Sequence, residues 1–466
     1  MSIELDIKSK LQKSLANLGV EVSVDDIIVE NTKDPSHGDY ATNTAMKYCK
    51  LAHSNPRDLA TKIVENIDKE GIEKIEIAGP GFINFFMKKD AINSAVAKII
   101  KEDANYGRGE SQNKRINVEF VSANPTGDLH LGHARCAAVG DSICRLYEFA
   151  GYDVTREYYI NDAGNQINNL GKSLRARYHQ AFGEEYPMPE DGYCAHDIVD
   201  IASKVKDEYG DKFLVDSDEN FTMLTNIGMK EELEKIKRDL ALFRVSFDVY
   251  TSERDVRANN HVQNVLENLY SKYTYVDQGA TFLRTTDFLD DKDRAVVKSD
   301  GSYTYLMPDI AYHLNKLSRN YDYLIDILGA DHHGYIPRMK AAMKALGYNS
   351  DNLFVDLCQM VRIVENGEEV KMSKRTGNAI TVRELIDDIG LDAARYFFLS
   401  KALDTHMDLD LTLAKTQSNE NPVYYAQYAY ARICSIIKAS GKPRLTYGTT
   451  GQNTTKYKDL RIQALE

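Results

Sequence analysis

The sequence predicts an α/β protein: a nucleotide-binding domain of alternating strands and helices, preceded by a small α+β unit and followed by helices. Three observations carry that prediction. From Val118 an apolar, strand-like run passes through the Pro/Gly turn NPTGDLHLGH into a helix from about His133 through RCAAVGDSICRLYEFAGY, the strand, loop and helix order of nucleotide-binding α/β domains. The same alternation resumes at SYTYLMPDIAYHL and YDYLIDILGADHHG. The chain has 466 residues, 43% of them hydrophobic and 27% charged. That exceeds one ordinary domain of roughly 100 to 200 residues and supplies apolar material for several cores.

In chain order, residues 1–88 read as the α+β unit. An amphipathic helix opens it, turn residues in NTKDPSHGDYATNTAMKYCK precede a helical run, and the alternation in IEKIEIAGPGFINFFM marks a sheet. A helix over 90–103 and the polar segment NYGRGESQNKR lead to INVEFVSA, the first strand of the second domain, over 112–384. Within it, about 160–290 is charged and reads as a largely helical insertion, its Lys, Glu and Asp spaced as on solvated helix faces. After about Glu384 helices are expected to dominate, over 385–466.

The N-terminal stretch MSIELDIKSKLQKSL mixes acidic and basic residues and has no continuous apolar run, so it does not read as a secretory signal, and no later segment reaches transmembrane length. Six scattered cysteines without a C-x-x-C pair argue for a reducing, cytoplasmic setting and against structural zinc. A net charge of −12 taken alone disfavours a nucleic-acid partner, but RNA binding depends on where the basic residues sit.

Two short motifs carry chemistry. His130-Leu131-Gly132-His133 opens a helix after a strand, so imidazoles and backbone N–H groups can face a triphosphate, with Gly132 allowing close approach. On its own this string describes a surface turn as well as a site. Far downstream, Lys371-Met372-Ser373-Lys374 follows the turn ENGEE and precedes Arg375-Thr376-Gly377. Two ammonium groups flanking a hydroxyl suit the developing charge of a pyrophosphate. The two motifs in this order rarely coincide by chance.

At this pair the chain resembles the class I aminoacyl-tRNA synthetases. VEFVSANPTGDLHLGHAR, YYINDAGNQI, YTYLMPDIAYH, VRIVENGEEVKMSKRTGNAITVRELIDDIGLDAARYFFL and AGPGFINF are all similar to arginyl-tRNA synthetases, from residue 78 to about 399. The resemblance implies a class I Rossmann-type catalytic domain with an N-terminal tRNA-corner domain and a C-terminal helical anticodon-binding domain. It implies activation of arginine with ATP, accompanied by Mg²⁺ and with no protein-held metal, and transfer of arginine to the 3′ end of its tRNA by a monomer that needs no membrane.

By motif, the resemblance assigns His130, Leu131, Gly132 and His133 to the ATP phosphates, and Lys371, Met372, Ser373 and Lys374 to the pyrophosphate. Gly329, Asp331, His332 and His333, with backbone near Met360 and Val361, would lie beside the adenosine. The string DHH also occurs in a family of metal phosphoesterases, whose other motifs are not visible here. A guanidinium substrate calls for a carboxylate that can accept paired hydrogen bonds. The resemblance puts Asp309 and Tyr305 on that side, Glu119, Ser122 and Asn124 around the α-amino and carboxylate groups, and Asn161 and Asp162 at the mouth. Tyr305 and Glu119 lie on strand-like runs and can equally be packing or ion-pair residues, and Asn161 and Asp162 can equally form a turn.

For RNA, Phe82 and Asn84 are expected to stack on and read an unpaired base; Phe82 and Phe85 can equally be core residues of a small sheet. Tyr425 lies in a tyrosine-bearing helix, NENPVYYAQYAYARICSIIKAS, similar to the start of the anticodon-binding bundle. A Tyr stripe at that spacing also describes half-buried core. Only about 60 residues follow Lys401, about half of what such a bundle needs to close its core. Two other readings stay open: a tRNA-binding relative without catalysis, and a small-molecule nucleotidyltransferase sharing the H-x-G-H turn.

Overall fold

The computed structural model describes residues 3–258, 261–370 and 380–440. It forms two compact units divided after Gly107.

In the first unit, helix Ile3–Asn17 buries Ile7, Leu11 and Leu15, one face at helical spacing. Helix Pro56–Asn66 is capped by Asn55 and begins on a proline, whose missing N–H costs nothing there. Both helices contribute to a core with a four-stranded antiparallel sheet. In its strand Phe82–Met87, Ile83, Phe85 and Met87 alternate into the core. The α+β character expected from the sequence is therefore present. Helix Lys89–Glu102 clusters with this unit, where the sequence had suggested a connection.

The second unit is built on five parallel strands: β1 Arg115–Phe120, β2 Asp153–Ile160, β3 Val249–Ser252, β4 Tyr323–Gly329 and β5 Leu353–Cys358. Their spatial order is β5-β4-β1-β2-β3. Both faces are covered, as a parallel sheet requires. One core holds Val118, Phe120, Ile325 and Ile327 against helix Leu131–Phe149; a second holds Leu324 with helices Leu306–Ser318 and Tyr335–Ala345. Gly140 permits the first contact, since a Cβ there would stand 2.3 Å from the Phe120 ring. The class I α/β fold expected from the motifs is thus observed.

Two expectations are incomplete. The stretch 160–290 does contain helices Asn165–Ala181, His196–Tyr209 and Asp218–Leu242, which share a small core. It also supplies β3, an edge strand of the main sheet, and strands Thr274–Asp277 and Ala280–Leu283 of an antiparallel sheet. Strands of four residues are too short for alternation to show against charged flanks. Beyond Glu384 the chain is not purely helical, because Met407–Asp410 pairs in parallel with Val361–Glu365. Nor is it set apart: Leu385, Phe397, Phe398, Leu409 and Val423 join the core of the main sheet. Among the described residues, no helix is long and apolar enough to cross a membrane.

Candidate active site

Strands β1 and β4 are neighbours whose connections leave in opposite directions, so a cleft opens at their C-terminal ends, the switch point where open α/β sheets bind ligands. Immediately past β1, Val121 and Ser122 both adopt left-handed backbone (φ 69° and 41°). For a β-branched valine this conformation is costly, and such strain gathers at functional sites. It turns Ser122 back over the strand end: its Oγ donates to Glu119 Oε1 (2.9 Å) and accepts from the Tyr159 N–H (3.1 Å). Asn161 Nδ2 donates to the Ser122 carbonyl (3.1 Å). Glu119, Ser122 and Asn161 therefore meet at one place. Asn124 is exposed and donates to Gln166 Oε1 (2.6 Å). Asp162 is different, being buried with its carboxylate accepting from Ser252 Oγ (2.6 Å) and from Arg254 N (2.9 Å) and Nε (3.3 Å). It braces the entry to helix Glu253–Ala258 and is not presented to a ligand.

The H-x-G-H turn caps helix Leu131–Phe149 with its own imidazoles. His130 Nδ1 accepts from the Gly132 N–H (3.1 Å), and His133 Nδ1 accepts from the His130 N–H (3.3 Å), with the rings stacked at 3.8 Å. Burial pushes His130 down, and burial followed by the neighbouring His130 pushes His133 down to about 3. Both rings are therefore neutral at pH 7. With each Nδ1 occupied as an acceptor, the ring proton sits on Nε2. The turn thus offers two Nε2–H donors beside the positive end of a 19-residue helix.

Lys371, Met372, Ser373 and Lys374 lie outside the described residues. The residues on either side of this motif are tied into the same edge. Val370 N–H donates to the Ile363 carbonyl (2.9 Å), Val382 N–H donates to the Leu129 carbonyl (2.9 Å), and Thr381 forms a β-bridge with His130. Past this motif the chain therefore rejoins the described structure against the first, at Thr381 and Val382.

Of the residues expected beside the adenosine, Gly329 ends β4 and Asp331, His332 and His333 follow it on an exposed turn. Met360 is exposed just past β5, and Val361 begins the next strand. A residue the sequence reading did not single out fixes this corner. Arg135, fully buried on the helix behind H-x-G-H, donates from Nη1 to the carbonyls of Gln359 and Thr405 (both 2.9 Å) and from Nη2 to that of Ala402 (2.7 Å).

The opposite wall of the cleft is helix Leu306–Ser318. Tyr305, expected on a strand, instead precedes this helix as its N-cap and is 86% exposed. Asp309 lies in the first helical turn. Beneath it, Glu157, Glu119 and Asp326 stand in register on β2, β1 and β4, three carboxylates in a row across the sheet. Like charges at such spacing are unfavourable, and the helix compensates each of them. Arg319 Nη2 binds both Glu157 oxygens (2.8 and 2.7 Å), and Lys316 Nζ lies between Glu119 Oε2 (2.5 Å) and Asp326 Oδ1 (2.8 Å). His313 bonds Asp326 Oδ2 through Nε2 (2.8 Å) and the Asp309 carbonyl through Nδ1 (2.8 Å). Both His313 partners are acceptors, so the ring is an imidazolium. Against its own burial, Asp326 pushes His313 upward, while Lys316 and His313 hold Asp326 well below the usual carboxylate range.

Asp309 is the exception. Among the described residues its carboxylate has no hydrogen-bond donor and no ion pair, and the one charge that favours it is the His313 ring, whose two N–H groups are taken by Asp326 and the Asp309 carbonyl. Burial pushes it up to about 7, with His313 pulling the other way and Glu119, Glu253 and Asp326 adding to the rise. A recessed carboxylate with no ion pair of its own is a receptor for a cation. The sequence reading picked out Asp309 but not Tyr312, His313 and Lys316. Their spacing of three, four and seven residues from Asp309 along one helix was the available signal.

The residues expected at RNA lie elsewhere on the chain. In the first unit Phe82 is 42% exposed while Asn84, on the same face of its strand, is only 6% exposed. Burial of Asn84 leaves little of its amide for a base. Tyr425 is 58% exposed on helix Pro422–Ala439.

Residues 5–87 match the family model described as the arginyl tRNA synthetase N-terminal domain, and 95–410 match that of the class I (R) tRNA synthetase catalytic domain. The arginine-tRNA ligase of Bacillus subtilis is 53% identical over 438 residues, which is 93% of this chain and 78% of that protein. A Campylobacter jejuni structure assigned as an arginyl-tRNA synthetase is 39% identical with a TM-score of 0.72, covering 81% of this chain and 84% of that one. The arginyl-tRNA synthetase of Thermus thermophilus shares the fold at 17% identity, with a TM-score of 0.70 over 100% of this chain and 86% of that one.

Proposed function

Since the chain belongs to the class I arginyl-tRNA synthetases, we propose that its switch-point cleft takes arginine against Asp309 and ATP against the H-x-G-H turn. The protein is an arginine-tRNA ligase. The arginine carboxylate attacks the α-phosphorus of ATP, pyrophosphate leaves, and a terminal ribose hydroxyl of tRNA then takes the arginyl group and releases AMP. The observation that carries the pocket assignment is the Asp309 carboxylate, which has no ion pair of its own among the described residues beside a layer where Glu119, Asp326 and Glu157 are each paired.

In this reading a guanidinium meets Asp309, with Tyr305 closing over it, while Glu119 and Ser122 receive the α-ammonium and Asn124 and Asn161 the remaining polar edge of the substrate. The Nε2–H groups of His130 and His133 bind the triphosphate, where charge grows as the α-phosphate is attacked. Leu131 and Gly132 line the same turn. Gly329, Asp331, His332 and His333 flank the adenosine, with backbone near Met360 and Val361. Lys371, Met372, Ser373 and Lys374 attend the leaving pyrophosphate, and ATP enters as its Mg²⁺ complex. Asp162 acts indirectly, by holding Arg254. Phe82, with Asn84 behind it, and Tyr425 contact tRNA. The reading includes a monomer working in the cytoplasm, a reducing setting in keeping with six cysteines that are all free thiols.

Arginine-dependent exchange of pyrophosphate into ATP, measured with and without tRNA, tests the assignment. Exchange specific to arginine is expected. Its absence even with tRNA present would favour a binding-only role. A pH dependence should accompany it. Asp309 is charged above its raised pKa of about 7 and neutral below it, so arginine binding is strong above that pH and weakens by about tenfold per unit as pH falls below it. Titration of arginine by calorimetry from pH 8 to 5.5 measures this; a flat profile would remove Asp309 from the pocket.

A further inference from the structure

We propose that Lys316 is a positioning residue of the arginine pocket: held in the buried layer below it, this lysine orients Glu119 for the substrate's α-ammonium group. The proposal rests on the pocket assignment above and extends it to a residue that does not itself reach the ligand.

Glu119 and Asp326 are direct partners on adjacent strands at the switch point, and Glu157 continues the row. Left alone, Glu119 and Asp326 would repel each other and swing apart or share a proton. Lys316, 0% exposed, is inserted between them with one oxygen of each within hydrogen-bonding distance. Its charge is held against its own burial by Asp326, Glu119 and Glu157, and the Tyr312 ring lies 4.5 Å from its Nζ.

A second constraint on Glu119 comes from the other side. Ser122, on its left-handed turn, holds Oε1, while Lys316 holds Oε2. Each oxygen keeps acceptor capacity, so the carboxylate is fixed in orientation yet still able to accept an N–H⁺ donor. Asp326 needs Lys316 less, because His313 already serves its other oxygen. A purely structural core position would be filled at lower cost by apolar side chains, since a buried ion pair seldom adds net stability.

The experiment compares two ligands by calorimetry: L-arginine and 5-guanidinopentanoate, which keeps the guanidinium and carboxylate but lacks the α-amino group. In Lys316→Met, arginine should bind about 10- to 100-fold more weakly, the worth of a charge-assisted hydrogen bond, while the analogue should bind within about twofold of its wild-type affinity. Glu119→Gln should show the same selective loss, and the double variant should lose no more than either single one, because both changes remove one interaction. Equal losses for both ligands, additive losses in the double variant, or no loss at all would overturn the proposal. Lys316→Gln, which keeps a polar side chain without the charge, is expected to behave like Lys316→Met and serves if the latter does not fold. Failure of the wild-type protein to bind either ligand would instead refute the pocket assignment itself.

Discussion

Asparagine in place of Asp309 is expected to raise the KM for arginine by about 30- to 1,000-fold, which is roughly 2 to 4 kcal/mol of lost charge pairing in a recessed site. Asn has nearly the same shape, and the wild-type carboxylate has no partner among the described residues to lose. Folding stability should therefore hold, or rise slightly, since a half-buried carboxylate with no ion pair of its own is removed. The KM for ATP should stay within about twofold, because Asp309 lies on the helix side of the cleft and the H-x-G-H turn opens the other crossover. Steady-state exchange with each substrate varied in turn checks this, alongside urea unfolding of both proteins. Parallel increases in both KM values would place Asp309 outside the pocket. The pH profile of the variant should also lose the decline below pH 7, since the group whose protonation weakens binding is gone.

His133→Asn is expected to lower the rate of adenylate formation by about 100- to 1,000-fold, the effect of removing one preorganised donor from a developing anion. The substitution separates two roles of the imidazole. Its Nδ1 closes the helix cap on the His130 N–H, and an asparagine Oδ1 stands the same two bonds from Cβ as Nδ1, so it can accept that bond and keep the cap. What asparagine cannot supply is the Nε2–H on the far side of the ring. Single-turnover formation of arginyl-adenylate should slow, while the KM for arginine is unchanged. A rise in the KM for ATP with the rate intact would mean that His133 binds the ground state only.

Other features of the cleft show why some of the site was readable and some was not. The H-x-G-H turn is local: four consecutive residues form the cap, stack the rings and fix the tautomer, so sequence order alone places the chemistry at a helix start. Asp309 could be chosen on its chemistry, because a guanidinium calls for a carboxylate. Asp162 looked equally eligible in INDAG, yet its carboxylate is taken up by Ser252 and Arg254, some ninety residues away in the chain. No local pattern announces a partner at that separation. The same holds for Arg135, whose three carbonyl acceptors lie beyond residue 358. Strands Val249–Ser252 and Met407–Asp410 were missed because pairing with the main sheet and with Val361–Glu365 creates them, whereas their own few residues carry too little periodicity.

The sequence by itself determined the α/β alternation, the two signature motifs and their order, and a carboxylate of the right kind near the start of a helix, because each of these is written in residues adjacent along the chain or repeated at a fixed spacing. Only the tertiary structure decided which carboxylate is left without an ion pair. That depends on register across β2, β1 and β4 setting Glu157, Glu119 and Asp326 side by side, and on one helix face bringing Arg319, Lys316 and His313 down onto them. Charge compensation is a property of distances between chain-remote groups in a low-dielectric layer, and a sequence does not contain distances.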